Sequence, residues 1–254
     1  MIGKIIKNFI IFFLLLIIFP KICLAFDSDN DGISDEDEIK IYYTNPYLSD
    51  TDGDGYDDYT EIKNGYSPHQ PKLKMSETDY DHDGLNDKLE ILLGTDLGNP
   101  DTDGDGYKDG EEVFSGYDPK NPKKGARMSG KIIEVGIKEQ LLRYKIGDIV
   151  LGEYKVSTGS YKYPTPLGNF LIDGKIKKAY SKKWRLWMPY FLSIKKGWFG
   201  IHELPEWENG KKEGENHLGQ RASHGCIRLG IGPAQKIYNW ADIGTKVIIK
   251  KSFK

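Results

Sequence analysis

Cysteine is scarce in this chain: 254 residues hold two, Cys23 and Cys226. That excludes a disulfide-stapled scaffold and any four-cysteine metal site. Long hydrophobic runs are scarce too. The unbroken apolar stretch Phe9–Phe19 falls well short of the roughly 20 residues of a comfortable membrane span. No phosphate-cradling glycine loop and no nucleic-acid-binding motif appears, so nucleotide and nucleic-acid partners are not expected. Net charge is nearly absent as well, at −2, although that figure conceals two halves of opposite sign.

The short apolar run instead reads as an address. Lys4 and Lys7 precede it, and Cys23-Leu24-Ala25 comes after it with a small residue at the cut. Residues 1–25 are therefore expected to be a secretory signal peptide, with the mature chain in a periplasm or at a cell wall. An uncleaved N-terminal anchor is the alternative. Loss of the segment leaves Cys226 as the single thiol of an exported protein, which points to a reactive cysteine or an intermolecular bridge.

From Asp27 to Gly125 there are 27 Asp and Glu against 9 Lys and Arg; from Ala126 onward there are 24 Lys and Arg against 11 Asp and Glu. The acidic half contains four copies of one twelve-residue loop with glycine at position 6. Acids at positions 1, 3, 5, 9 and 12 are Asp27, Asp29, Asp31, Asp35 and Glu38 in the first copy, then Asp50, Asp52, Asp54, Asp58 and Glu61 in the second. The third has Asp79, Asp81, Asp83, Asp87 and Glu90, and the fourth Asp101, Asp103, Asp105, Asp109 and Glu112. A hard cation needs six to eight oxygens, and carboxylates at alternate positions converge as the chain curls. All twenty acids are expected calcium ligands, and calcium is the expected structural cofactor. The loops start too close together for a helix on both sides of each. Thr44-Asn45-Pro46 and Gly98-Asn99-Pro100 put turns between them.

This spacing resembles thrombospondin type 3 repeats. The resemblance implies that residues 26–122 form a calcium-stiffened stalk with little core of its own, which positions or regulates the basic half and does no catalysis.

Asn121-Pro122-Lys123-Lys124-Gly125 reads as a hinge, and residues 123–129 as a linker. Strand signals stand at 131–135, 140–144, 149–156, 170–172 and 246–249, with a proline-opened helix at Pro233–Trp240. A mainly β domain over residues 130–251 is expected, containing one short helix.

Within it lie Val156-Ser157-Thr158-Gly159, Thr165-Pro166-Leu167-Gly168, Ile201-His202 and Ser223-His224-Gly225-Cys226-Ile227-Arg228-Leu229. In this order they resemble the YkuD-type L,D-transpeptidases of bacterial peptidoglycan. The resemblance implies a YkuD-like β-sandwich without a catalytic cofactor. It also implies an acyl transfer: Cys226 attacks the third residue of a stem tetrapeptide and releases D-alanine through a thioester. The acyl group then passes to an amine of another stem or of a wall-linked protein. Peptidoglycan stem peptides are the implied partners and carbapenems the implied inhibitors. His202 holds the position of the family's base.

On the residues' own chemistry, a thiol of pKa about 8.5 needs such a partner to react at neutral pH. His224 could orient the site or bind substrate, the amides of Gly225 and Cys226 could hold an oxyanion, and Arg228 could anchor a carboxylate or brace the loop. His217 competes with His202 as the base. Trp184, Trp187 and Trp198 read as core or cleft wall. Glu203 stands where the family commonly has a small residue, able to raise the His202 pKa or to face solvent, and residues 206–219 read as a flexible lid. A hydrolase using water as acceptor, a catalytically silent wall-binding protein and a Cys226-linked dimer are the competing readings.

Overall fold

The computed structural model describes residues 26–253; the signal-peptide expectation for residues 1–25 lies outside them. No helix among the described residues is long and apolar enough to cross a membrane.

Each acidic loop runs directly into one short helix that begins at loop position 9. These are α1 (Asp35–Asp37, continued by a π-turn over Glu38–Tyr42), α2 (Asp58–Asn64), α3 (Asp87–Leu93) and α4 (Asp109–Ser115). Ser34, Asp57 and Asn86 cap the first three by accepting from an amide three residues on, and acids in the first turn suit the positive end of the helix dipole. Left-handed Gly65, Gly94 and Gly116 end α2, α3 and α4. The loops couple in pairs. Asp31 Oδ2 accepts from the Tyr59 amide at 3.3 Å, and Asp83 Oδ2 accepts from the Gly110 amide at 2.8 Å. The second contact needs glycine, because a Cβ on Gly110 would lie 2.7 Å from the backbone of Gly84.

The basic half is mainly β. Its strands are β1 (Lys131–Gly136), β2 (Leu141–Ile146), β3 (Ile149–Ser157), β4 (Gly168–Ser181), β5 (Leu186–Ile194), β6 (Phe199–Glu203), β7 (Glu206–Trp207), β8 (Ile227–Leu229) and β9 (Lys246–Lys250), with α5 (Pro233–Trp240) as its one α-helix. They hydrogen-bond in the order β4-β9-β1-β2-β3-β8-β6-β5-β7. The long strand β4 pairs with β9 through its first residues and with β5 through the remainder. That shared strand closes the sheet into a barrel-like sandwich around Ile133, Leu142, Val156, Leu192, Ile201, Ile227 and Val247, each at most 1% exposed.

The repeats differ from the expected stalk. Leu85, Leu89 and Val113 belong to the same buried cluster as Tyr144, Leu151 and Trp240 of the β half, so the last two repeats plug the core of the second domain. The segment read as a linker is pinned in place at Arg127. Arg127 donates to Ser115 O at 2.9 Å and Trp240 O at 2.8 Å, and pairs with Asp242 at 2.8 Å. Lys131 Nζ donates to Gly116 O at 2.8 Å and also pairs with Asp242.

Leu85→Ala should therefore lower the stability of the whole chain, by about 2–5 kcal/mol as for other buried leucines. Urea denaturation followed at both far-UV and near-UV wavelengths checks this; a loss confined to the repeat signal would separate the two halves.

Candidate active site

Strands β6 and β8 run parallel in the register Ile201↔Ile227, His202↔Arg228 and Glu203↔Leu229. Paired residues share a face of the sheet, and side chains alternate with period two. His202 and Arg228 therefore face the same side; Cys226 stands just before β8, where its sulfur meets the Gly200 amide of β6 and the charge of Arg228. On the other flank β3 pairs Ser157 with Arg228, adding Ser157 to that face.

His202 is 2% exposed, and its Nδ1 lies 2.5 Å from the backbone oxygen of Glu203. A carbonyl only accepts, so Nδ1 carries the proton and Nε2 presents its lone pair. Burial holds the imidazole neutral by pulling its pKa down to about 3. The Glu203 carbonyl opposes this, and the positive charge of Arg228 adds to it. Burial pushes the Cys226 thiol up, against the Gly200 amide and the Arg228 charge, which pull it down. At rest the pair is thiol and imidazole, not thiolate and imidazolium. Cys226 is the free cysteine among the described residues.

The loop that carries the thiol is tightly held. Ser223 Oγ donates to Cys226 O at 2.5 Å and accepts from the Gly225 amide at 3.1 Å. Thr165 Oγ1 donates to Gly225 O at 2.9 Å and accepts from the Gly159 amide at 2.8 Å. Gly225 has φ +114°, a left-handed conformation open to glycine. A Cβ on Gly159 would lie 2.2 Å from Tyr163 O, so this glycine is needed where the two motif loops touch. Of the two amides expected to face an oxyanion, that of Gly225 is already bonded to Ser223; the Cys226 amide takes no part in these loop bonds.

The other expected residues separate. The ring of His224 stacks on Trp184 at 3.7 Å and lies 5.2 Å from Tyr163, which orients it along a cleft of about 460 Å³ bordering Gly225. Trp198 lines the same cleft while 66% exposed. His217 bonds Glu213 rather than the thiol. No cluster of three metal-ligating side chains forms at the thiol among the described residues. Glu203 is buried and ion-paired to Lys212, and alternation puts it on the face opposite His202. The 206–219 segment, expected to be a flexible lid, is built into the fold. β7 pairs with β5, Lys178 pairs with Glu206 at 3.0 Å, and Arg228 Nη1 lies 2.8 Å from Glu213. Thr165 and Ser223 stand in the quoted motifs, but sequence alone reveals no role for them; Glu213 carries no sequence signal.

In the repeats the structure gathers positions 1, 3 and 5 of every loop: Asp27, Asp29 and Asp31; Asp50, Asp52 and Asp54; Asp79, Asp81 and Asp83; Asp101, Asp103 and Asp105. Glu38, Glu61, Glu90 and Glu112 at position 12 are buried, with oxygens that have no protein partner. Burial and the neighbouring acids push Glu61 up to about 8 and Glu90 up to about 9. Position 9 behaves differently. Both oxygens of Asp35, Asp58, Asp87 and Asp109 accept hydrogen bonds: from the amide of position 2 in each loop, and from a hydroxyl of Ser28, Thr51, Thr78 and Thr102 respectively. These four acids lock the loop onto its helix.

Residues 130–249 match the model of the YkuD L,D-transpeptidase catalytic domain, and residues 27–47, 50–65, 79–96 and 101–122 match the bacterial TSP3 repeat. Residues 130–249 are thus similar to an L,D-transpeptidase catalytic domain, and the four loops to TSP3 repeats. YciB of Bacillus subtilis (strain 168), a protein named for L,D-transpeptidase activity, is 32% identical over 124 residues, which are 46% of this chain and 64% of that one. An L,D-transpeptidase from Stackebrandtia nassauensis is similar at 26% identity and a TM-score of 0.41, over 48% of this chain and 56% of its own. L,D-transpeptidase 3 from Mycobacterium tuberculosis, solved with a faropenem-derived adduct, is 21% identical with a TM-score of 0.43, over 48% and 60%. The chain thus spans less than two thirds of the length of these relatives.

In the L,D-transpeptidase domain, burial of the thiol should place the midpoint of Cys226 alkylation by iodoacetamide above the ordinary cysteine value of about 8.5. The rate measured from pH 6 to 10 checks this; a midpoint below 8 would mean a thiolate at rest.

Proposed function

We propose that the chain is an exported peptidoglycan L,D-transpeptidase whose nucleophile is Cys226 and whose base is His202. The observation that carries this reading is the bond from His202 Nδ1 to the Glu203 carbonyl. It leaves Nε2 unprotonated on the sheet face of Arg228, beside which stands the only free thiol of the described residues.

As the Cys226 sulfur bonds to the carbonyl carbon of the third stem residue, Nε2 takes the thiol proton. The amide of Cys226 is placed to donate to the resulting oxyanion. Collapse breaks the bond to D-alanine, whose amine leaves with the proton from Nε2, and a thioester remains on Cys226. An amine of a second stem or of a wall-linked protein then attacks the thioester, loses its proton to Nε2 and restores the thiol. Two neutral partners suit this cycle. The proton moves only when attack begins, and burial prevents His202 from being trapped as imidazolium. The basic surface of this half attracts a carboxylate-rich substrate.

The four loops fit calcium. Three converging Asp carboxylates and one buried Glu with unpartnered oxygens are the donor set of a hard divalent cation. The residues that would hold it are positions 1, 3, 5 and 12 of each loop, and the cation would supply the positive charge that these buried acids lack.

Full-length protein incubated with a carbapenem should gain one adduct by intact-mass spectrometry, and Cys226→Ala none. His202→Ala should slow adduct formation about 10²–10⁴-fold. An unmodified wild type that also fails to turn over a stem tetrapeptide would overturn the enzyme reading. Calcium at about 100 times its Kd should stabilise the chain by about 2.7 kcal/mol, read as a thermal midpoint that falls on chelation; a midpoint insensitive to calcium would remove the metal assignment.

A further inference from the structure

The 206–219 insertion delivers a buried charge to the site. Glu213 and Arg228 are 9% and 6% exposed in their side chains, and Arg228 Nη1 donates to Glu213 Oε1 at 2.8 Å, while Oε2 lies at the same distance without a hydrogen bond. Glu213 is itself set by its amide, which donates to Pro205 O at 2.9 Å, and by the ring of His217. Arg228 also reaches Ala222 O at 3.5 Å, while its Nε is buried without a partner. The guanidinium is therefore held on one side by the insertion and stands on the sheet face that carries His202, near Cys226. An isolated buried cation is costly, and a paired one is tolerated.

We propose that Glu213 is a positioning residue for the thiol chemistry: it fixes Arg228 beside Cys226 and balances its charge. This rests on Cys226 being the nucleophile. Arg228 stands two residues after the thiol, at most about 7 Å along the chain, and its charge reaches the thiol. At that range an unbalanced positive charge would draw the proton off the thiol prematurely, and its loss would leave Glu213 holding the proton on. The balanced pair does neither. Other charged or titratable groups near the thiol are His202 on β6, His217 on the insertion, His224 on the thiol loop, and Lys162, Tyr163 and Lys183 along the adjoining cleft. Glu203 lies on the opposite face and is paired to Lys212. Glu213 is thus the acid that offsets Arg228.

The test is the pH profile of Cys226 alkylation in the full chain, which needs no substrate. Glu213→Gln should move the midpoint down and Arg228→Gln should move it up, each by about one pH unit for a unit charge at this distance in a partly screened site. The double variant should return close to wild type, and Glu213→Asp should stay close to wild type. If Glu213→Gln does not fold, the upward shift of Arg228→Gln and its reversal in the double variant carry the same test. Midpoints that stay put in all folded variants, whatever their thermal stability, would leave the pair as a structural brace and overturn the proposal. A wild type with normal alkylation but no carbapenem adduct would instead count against the enzyme reading alone.

Discussion

In the L,D-transpeptidase domain everything at the thiol depends on the parallel register of β6 and β8. That register brings together residues from two distant stretches of chain and puts His202 and Arg228 on one face, with Cys226 at the entry to β8 beside Gly200 of β6. A slip of one residue would turn His202 into the opposite layer and put Glu203 in its place, because side chains alternate along a strand. The register is defended on both sides. Ile201, Ile227 and Leu229 are essentially buried in the core, so a shift would expose them. Gly200 cannot carry a side chain, since a Cβ there would lie 2.4 Å from Leu192 O. The tight approach of β5 and β6 at Gly200 also leaves its amide facing the Cys226 sulfur.

Both halves of the molecule bury charge, and they handle it in opposite ways. In the β half these buried ions have partners: Arg228 has Glu213, Glu203 has Lys212, and Lys131 has Asp242. In the repeats the buried acids crowd against one another, and Glu38, Glu61, Glu90 and Glu112 keep oxygens without any protein donor. Desolvation and mutual repulsion raise all four. Protonation of these acids or positive charge from outside the chain relieves that repulsion. The β half pairs its buried charges within the chain, while the repeat half does not.

What is legible in the sequence is what depends on local spacing. The acids at positions 1, 3, 5 and 12, the Ser223–Leu229 block and the helix at Pro233–Trp240 all arise from short-range pattern, whereas the short helix after each loop stands where only turns are expected. Position 9 shows the limit of that reasoning. Spacing alone does not distinguish a ligand from an acid that accepts the amide and hydroxyl groups closing the loop onto its helix, and only the bonds to Asp35, Asp58, Asp87 and Asp109 do so. Strand β5 carries no clear sequence signal, because Leu186–Ile194 lacks alternation and contains Pro189. The links from Thr165 to Gly225 and from Glu213 to Arg228 cross 60 and 15 residues and leave no periodic trace. The insertion therefore reads as a lid in sequence, although ion pairs tie it into the sheet.

The two halves meet where these two kinds of charge burial are adjacent. On α3, Leu89 enters the core of the catalytic domain beside Glu90, which faces its own loop. On α4, Val113 does the same beside Glu112. Neighbouring residues on one helical turn cannot move independently. Whatever holds Glu90 and Glu112 against their loops also holds Leu89 and Val113 in the core that supports β3 and α5. Strand β3 continues to Ser157, opposite Arg228, so the packing that begins at the acidic loops ends on the sheet face of His202 and Arg228. The repeats are better understood as a charged wall packed on the β domain than as a tether, because Leu85, Leu89 and Val113 complete its core.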